Sequence, residues 1–168
     1  MILATHAIAG AALASMMPDR PGLAFIAGVI SHFLLDTIPH WDYQLRSKRE
    51  DKSNPLDNDI IIGHDFWFDL IKISGDALLG LILSWLFFYQ TFTGELGVTT
   101  FVAGAIGGLL PDAFQFAYFK LRSPWLTILQ RFHYWIHADR EKKLEPIIGV
   151  ISQAFLIALI VSTVKFIL

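Results

Sequence analysis

Residues 31–42 read SHFLLDTIPHWD, and they place four ionisable side chains at the end of an apolar run. His32 and Asp36 are four positions apart, so a helix would present both on one face. Pro39 cannot continue a helix, and it is expected to end this one just before the histidine and aspartate that follow. Imidazole and carboxylate groups that face the same way from an apolar helix are typical of a divalent-metal site or a proton relay.

The composition of the whole chain favours a membrane protein. Its 168 residues are 54% hydrophobic and 17% charged, with a mean hydropathy of +0.52. An ordinary soluble domain is about 45–50% apolar and about 25% charged. The net charge of -2 gives no indication of a nucleic-acid partner. The chain contains no cysteine, which excludes disulfides and leaves only nitrogen and oxygen to bind a metal.

Long uncharged runs predict an all-α, polytopic membrane helical bundle that forms a single membrane-embedded helical domain over residues 1–168. Read as spans, the runs give about five transmembrane helices. The predicted crossings cover residues 2–17, 22–38, 60–91, 97–118 and 144–168. No basic residue precedes the first run, as one would in a secretory signal, and residues 1–17 are therefore expected to be retained.

Two segments are expected to depart from simple spans. The third run is too long for one straight span, and Asp76 is predicted to cap a new helix within it. This cap would divide the run into a short amphipathic helix and a crossing helix. Residues 126–135 combine apolar and aromatic side chains with basic flanks, a pattern typical of a helix at the membrane interface. The bundle is therefore expected to carry one or two interfacial helices.

Positive charge is concentrated in two predicted loops, at residues 41–59 and 119–143. With five crossings these loops face the same side, which the positive-inside rule makes cytoplasmic. The N-terminus is then predicted to be inside and the C-terminus outside. Under this topology all six histidines lie near the cytoplasmic side. Arg46 and Arg140 in these loops are expected to attract anionic lipid headgroups.

A weak internal repeat relates residues 25–36, FIAGVISHFLLD, to residues 101–112, FVAGAIGGLLPD. Phenylalanine, alanine, glycine and the final aspartate coincide at a spacing of 76 residues. If the repeat is real, Asp36 and Asp112 occupy equivalent places in two related helices. The alternative is a chance match between two apolar segments.

Further candidate ligands occur outside the opening stretch. His133 and His137 lie one helical turn apart, a spacing at which two histidines can bind one metal ion. The alternative for this pair is an interfacial position near lipid headgroups. His6 stands alone in a small apolar helix, where a structural role is more common, and only the shared cytoplasmic side makes it a candidate.

A charged stripe is predicted on the third element. Asp65, Asp69, Lys72 and Asp76 fall within about 60° of one another on a helix. Such a stripe must face water, a partner or a functional site, and the alternative to a site is a solvated face of an interfacial helix.

Three short motifs carry a resemblance to a known family. They are Thr-His at 5–6, Ser-His-Phe-Leu-Leu-Asp at 31–36 and Gly-Leu-Leu-Pro-Asp at 108–112. Together they resemble the motifs of the membrane-bound metal-dependent hydrolases of the LexA-regulated inner-membrane type. The spacing of His32, Asp36, Pro39 and His40 is also similar to the signature of zinc-dependent phospholipase C and related all-helical zinc nucleases.

The resemblance implies a prokaryotic inner (cytoplasmic) membrane protein that binds a divalent metal, with zinc as the expected ion. The metal ligands that the resemblance carries over are His6, His32, Asp36, Asp112, His133 and His137.

The leading hypothesis is a metal-dependent hydrolase that cleaves a phosphoester of a lipid or amphipathic substrate at the cytoplasmic face. His40 or Asp69 would orient the attacking water or complete the metal shell. A second hypothesis is an ion- or proton-coupled transporter with carboxylates along its path. A third is a non-catalytic membrane scaffold. Membrane lipid is the expected partner under each hypothesis.

Overall fold

The chain folds almost entirely into helices, in a computed structural model that describes residues 1–137 and 144–168. The described residues form six α-helices: α1 (Leu3–Ser15), α2 (Pro21–Asp36), α3 (His64–Phe88), α4 (Gly94–Leu121), α5 (Pro124–Ile136) and α6 (Pro146–Ile167). The loop after α2 holds a 3-10 turn and two short antiparallel strands: Pro55–Asp57, β1 (Lys48–Arg49) and β2 (Asp59–Ile60). The predicted all-α class is confirmed.

Three helices, α3, α4 and α6, are long and apolar enough to cross a membrane. The prediction of five crossings is wrong in number for the described residues. Helices α1 and α2 contain 13 and 16 residues, fewer than the roughly 20 that a bilayer requires. Almost every residue of α1 is buried inside the bundle. Its apolar sequence therefore reflects contact with other helices, which hydropathy alone does not distinguish from contact with lipid.

Helix α1 lies at the centre of the bundle and packs against α2, α3, α4 and α6. It is antiparallel to α2, since the His6 ring stacks on the His32 ring at 4.0 Å and Met1 lies beside Asp36. Away from these polar groups, the core beside α1 is apolar and includes Phe88, Phe92, Phe101 and Val161.

Glycines allow the backbones of α1, α2 and α4 to approach closely. A Cβ added to Gly108 would overlap the carbonyl oxygen of His6, and a Cβ added to Gly28 would overlap the carbonyl oxygen of Gly104. Small residues at helix crossings are typical of membrane proteins, where close packing replaces the hydrophobic drive. The result is that His6, at the start of α1, lies directly against α4.

The predicted helix break at Asp76 is wrong, because α3 runs without interruption from His64 to Phe88. Asp76 caps a different helix. Its Oδ2 accepts hydrogen bonds from the backbone N–H groups of Leu3 at 2.6 Å and Ala4 at 3.4 Å. These N–H groups lack partners within α1, and a carboxylate there also complements the helix dipole.

Tyr43, in the loop after α2, contributes to the same contact. Its hydroxyl donates to Asp76 Oδ2 at 3.3 Å. Burial and the nearby Asp76 charge raise the pKa of Tyr43 well above its usual value, so the phenol stays protonated and can donate.

Gln153, buried in α6, holds the start of α1 from the other side. Its Oε1 accepts from the Ile2 N–H at 3.1 Å and from the Thr5 hydroxyl at 3.2 Å. Its Nε2 donates to the Trp41 carbonyl at 2.9 Å. Contacts from α3, α4 and α6 therefore all converge on the first turns of α1.

The predicted helix over residues 126–135 is confirmed, because these residues lie within α5, which is amphipathic. It exposes Trp125 and Trp135 while it buries Gln130 and His133. Its position relative to a membrane interface stays a prediction.

The glycine packing leads to a matched pair of substitutions in α4 and α3. We expect Gly108→Ala to lower the free energy of unfolding by about 1–3 kcal/mol, because the added methyl group meets backbone rather than a movable side chain. Gly75→Ala, in an exposed and open position of α3, should raise it by about 0.5–1 kcal/mol. Unfolding of both variants in detergent tests this, and equal effects would contradict the close helix approach.

Candidate metal centre

The structure brings eight histidine and aspartate side chains together at one end of α1 and α2. They come from α1, α2, α4, α5 and the segments that follow α2 and α5. The cluster consists of His6, His32, Asp36, His40, Asp42, Asp112, His133 and His137. Within it, four overlapping groups of three place their ligand atoms within 4.8 Å of one another. All six predicted metal ligands belong to the cluster, together with His40.

The tightest part, which we call the inner group, contains His32, Asp36 and His133. Asp36 Oδ2 lies 3.1 Å from His32 Nε2 and 3.0 Å from His133 Nε2. The two Nε2 atoms are 3.4 Å apart. An ion bonded tetrahedrally at about 2.0–2.1 Å sets neighbouring ligand atoms about 3.3 Å apart. The triangle formed by these three atoms therefore has the dimensions of one face of a zinc coordination shell.

The contact at Nδ1 of His32 indicates which of the two ring nitrogens carries the proton in the neutral ring. Nδ1 lies 2.7 Å from the carbonyl oxygen of Gly108, which only accepts hydrogen bonds, so Nδ1 carries the proton. In the neutral ring Nε2 is then an unprotonated acceptor, and it faces the Asp36 carboxylate. Two acceptors at this distance repel unless a cation or a proton lies between them. Histidine ligands of metals commonly donate their other N–H to a carbonyl in this way.

Asp112 and His6 extend the inner group in two directions. Asp112 Oδ1 lies 3.8 Å from the Nε2 atoms of both His32 and His133, and this side chain is 31% exposed. His6 Nε2 lies 3.3 Å from Asp36 Oδ1. Both ring nitrogens of His6 are buried without a hydrogen-bond partner, which is an unfavourable state for a polar group. A metal ligand in this place needs no such partner at the nitrogen that coordinates.

Asp36 and Asp112 thus reach the same two imidazoles from different helices. The internal repeat that would relate the two aspartates stays a prediction.

An outer group of His40, Asp42 and His137 adjoins the inner one. His40 Nδ1 lies 2.6 Å from the Ile38 carbonyl oxygen, so its Nε2 faces Asp42 Oδ2 at 3.3 Å. His137 Nε2 lies 3.8 Å from the same oxygen. Burial lowers the pKa of His137 to about 4, which leaves the ring neutral and able to ligate near pH 7.

The amino group of Met1 lies between the two groups. It is 3.2 Å from Asp36 Oδ1, 3.0 Å from Asp42 Oδ1 and 2.8 Å from His40 Nε2. Burial opposes ionisation of Asp42, but the neighbouring His40 ring and the Met1 amino group hold the pKa of its carboxyl well below its usual range. Asp42 is therefore an ionised oxygen donor.

Asp69, the other predicted catalytic residue, is not part of the cluster. Its Oδ2 accepts from the Ser47 N–H at 2.8 Å and the Ser47 hydroxyl at 2.7 Å. Its Oδ1 lies 3.4 Å from Lys72 Nζ. These contacts attach the loop after α2 to α3. With Asp76 bound to α1, the predicted charged stripe on α3 is divided between two structural contacts.

His64 also lies apart from the cluster, since its side chain is 84% exposed at the start of α3. Five of the six histidines therefore converge. Arg46 is exposed on the loop after α2, and Arg140 lies outside the described residues.

Sequence reasoning did not place Asp42 among the ligands or the Gly108 carbonyl behind His32. Asp42 follows His40 by two positions, and this spacing was the available signal. No sequence signal indicates a role for the Gly108 carbonyl, because a backbone oxygen in the middle of α4 ordinarily accepts a hydrogen bond within its own helix.

Comparison with known proteins found no matching family model, no matching curated protein and no matching solved structure. The resemblance to the membrane-bound metal-dependent hydrolases therefore stays a prediction from the motifs.

The geometry leads to a test by metal analysis. We expect Asp36→Asn and His32→Ala to lose most of the zinc that the purified wild-type chain retains, because each removes a donor from the inner group. His64→Ala, at an exposed histidine outside the cluster, should retain it. Elemental analysis of the three purified proteins gives the metal-to-protein ratio. Full occupancy in both inner-group variants would show that these residues do not bind the ion.

Proposed function

We propose that this protein is a membrane-bound, metal-dependent hydrolase that cleaves a phosphoester of an amphipathic substrate. The observation that carries the proposal is the convergence of three imidazole Nε2 atoms, from His6, His32 and His133, within 3.0–3.3 Å of the buried Asp36 carboxylate. A protein that used these side chains only for packing would be expected to separate the acceptors or place a donor between them.

The donor set favours zinc over magnesium or calcium. Five imidazoles and three carboxylates supply it, and imidazole suits zinc while all-oxygen shells suit magnesium and calcium. One ion would be held by four side chains: His32, Asp36, Asp112 and His133. His6 would contact the second carboxylate oxygen of Asp36. The outer group of His40, Asp42 and His137 would hold a further ion.

Adjoining metal groups support hydrolysis of a phosphoester in particular. When bound, divalent ions in such a pair supply Lewis-acid chemistry that activates water and neutralises phosphoryl charge. Asp112 is more exposed than Asp36, His32 or His133, so the substrate would approach the inner group from the side of Asp112. The Nδ1 contact of His40 fixes the orientation of its ring, which suits a role in orienting water or completing the outer shell.

Orientation in the membrane is also part of the proposal. Because α1 and α2 form an antiparallel pair, the N-terminus and the basic loop after α2 lie on one side whether or not the pair crosses. The positive-inside rule would make this side cytoplasmic and place the cluster there. Arg46 would then face anionic headgroups.

The transporter hypothesis gains no support from the described contacts. It required Asp69 and Asp76 to line a path with Asp36 and Asp112, whereas both bind backbone groups of neighbouring segments. The scaffold hypothesis predicts that the purified protein holds no metal. The elemental analysis described above therefore decides between a scaffold and a metal-dependent hydrolase.

Hydrolysis of a short-chain phosphatidic acid in detergent micelles, followed as phosphate release, tests the proposal. We expect zinc-dependent turnover by the wild-type chain, lost with a chelator and restored by zinc. Substitution of a residue that only supports a metal ligand typically reduces activity 10- to 100-fold. Asp36 is itself a proposed ligand, so Asp36→Asn should reduce phosphate release by at least about 100-fold.

Asp65→Asn is the matched control, since this carboxylate is exposed at the start of α3 and lies outside the cluster. Its turnover should equal that of the wild type. A zinc-loaded wild-type protein that neither released phosphate from this substrate nor cleaved a soluble phosphodiester to a phosphomonoester and an alcohol would contradict the proposed reaction.

A further inference from the structure

A cleft adjoins the metal centre on the side of α5. It lies between α2, α4 and α5, is partly open to the surroundings, and leaves about 70 Å³ for the centres of water-sized molecules. Its apolar lining includes Val29, Phe33, Leu110, Phe114 and Leu129. Among the described residues, this lining contains no aspartate, glutamate, lysine or arginine, and its polar members are Gln115, Gln130 and His133.

His133 joins the cleft to the inner group. It lines the cleft, and its Nε2 is 3.0 Å from Asp36 Oδ2. Phe33 forms the wall between the two spaces, since its ring meets the rings of both His32 and His133 edge-on at 5.4 and 5.6 Å. A molecule in the cleft would therefore have one end next to the proposed metal ions.

Gln130 supplies an independent indication of a ligand. It lines the cleft one turn before His133 on α5, and it is 3% exposed. Its Oε1 is buried without a hydrogen-bond partner. A buried amide oxygen without a donor is destabilising, so a ligand that brings a hydroxyl or N–H group to this point would satisfy it.

The outer surface beside the cleft is apolar as well. Ile26, Ile30 and Leu34 on α2 are each more than half exposed, and Phe132 on α5 is 40% exposed. A patch of this kind is typical of contact with lipid chains when neighbouring helices can span a membrane. The cleft would then open toward hydrocarbon rather than toward water.

We propose that this cleft binds a hydrocarbon chain of a membrane amphiphile that carries a hydroxyl or amide donor next to the chain. The chain lies among the apolar residues of α2, α4 and α5, the donor binds Gln130 Oε1, and the polar head extends past His133 to the metal centre. This assignment rests on the proposed function and narrows its substrate to lipids that carry a hydroxyl or amide donor next to the chain.

Photo-crosslinking in phosphatidylcholine nanodiscs tests the assignment. The probe is a monoacylglycerol with a photoreactive diazirine in its chain, and labelled peptides are located by mass spectrometry. We expect strong labelling of the cleft residues on α2, α4 and α5, above that of the exposed residues Ile147, Ile151 and Phe155 of α6. Equal labelling of both regions would show ordinary lipid contact only and would overturn the proposal.

Two tryptophan variants on α2 provide the matched comparison. Val29→Trp fills the cleft and should abolish most of the cleft labelling, whereas Ile30→Trp, at the neighbouring exposed position, should leave it unchanged. Leu129→Trp fills the cleft from α5 and gives a second test if Val29→Trp does not fold. Unchanged labelling in a folded cleft-filling variant would contradict the proposal.

Gln130→Leu tests the polar contact. Loss of one hydrogen bond should weaken labelling by the monoacylglycerol about three- to tenfold. Labelling by the corresponding methyl ester, which lacks the hydroxyl groups, should not fall. Zinc content is measured on the same samples. Zinc without cleft labelling would reject the chain site while the metal centre stands, and cleft labelling without zinc would reject the hydrolase and leave a lipid site.

Discussion

Asp36 places a carboxylate with 1% of its surface exposed among the imidazoles of His6, His32 and His133. An isolated charge in such a place would be unfavourable by several kcal/mol, and the group would neutralise unless positive charge were nearby. The Met1 amino group lies 3.2 Å from one oxygen of Asp36 and compensates part of this charge. A cation bound among the three imidazoles would compensate the rest and would separate the lone pairs that face one another. The helices are packed so that these groups are held together.

The three helices that are long and apolar enough to cross a membrane contribute to that arrangement through single polar contacts. Asp76 of α3 caps the first turn of α1, and Gln153 of α6 binds the backbone just before it. Gly108 of α4 admits the backbone of α1 and offers its carbonyl to His32. Each contact restricts the position of a ligand without touching the proposed metal ion. Helices α3 and α6 therefore support the site without contributing a ligand, whereas α4 also contributes Asp112.

The parts of the site that could be predicted from sequence are those that local geometry determines. The spacing of His32 and Asp36 placed both on one helix face, and Pro39 ended that helix close to the observed end at Asp36. The turn between His133 and His137 is likewise a local property. Asp112 was predicted through the motif at 108–112 and the weak repeat, and it reaches the same imidazoles as Asp36.

The failures share a physical cause, which is that they concern partners distant in sequence. Asp76 reads as a cap for its own helix because its true partner, the start of α1, is more than 70 residues away. Helix α1 reads as a span because burial in a bundle and exposure to lipid select the same apolar residues. Asp69 has the sequence features of a site residue, but in the structure its carboxylate accepts hydrogen bonds from Ser47, 22 residues away.

Zinc K-edge X-ray absorption on the purified, zinc-loaded protein reports the ligands of the ion itself. We expect a shell of nitrogen and oxygen at about 2.0–2.1 Å, with the outer-shell scattering of several imidazole rings. The same measurement on the Asp36→Asn variant should show this imidazole signal reduced. A spectrum of an ion surrounded by oxygen alone, without imidazole scattering, would contradict the claim that the buried histidines bind metal.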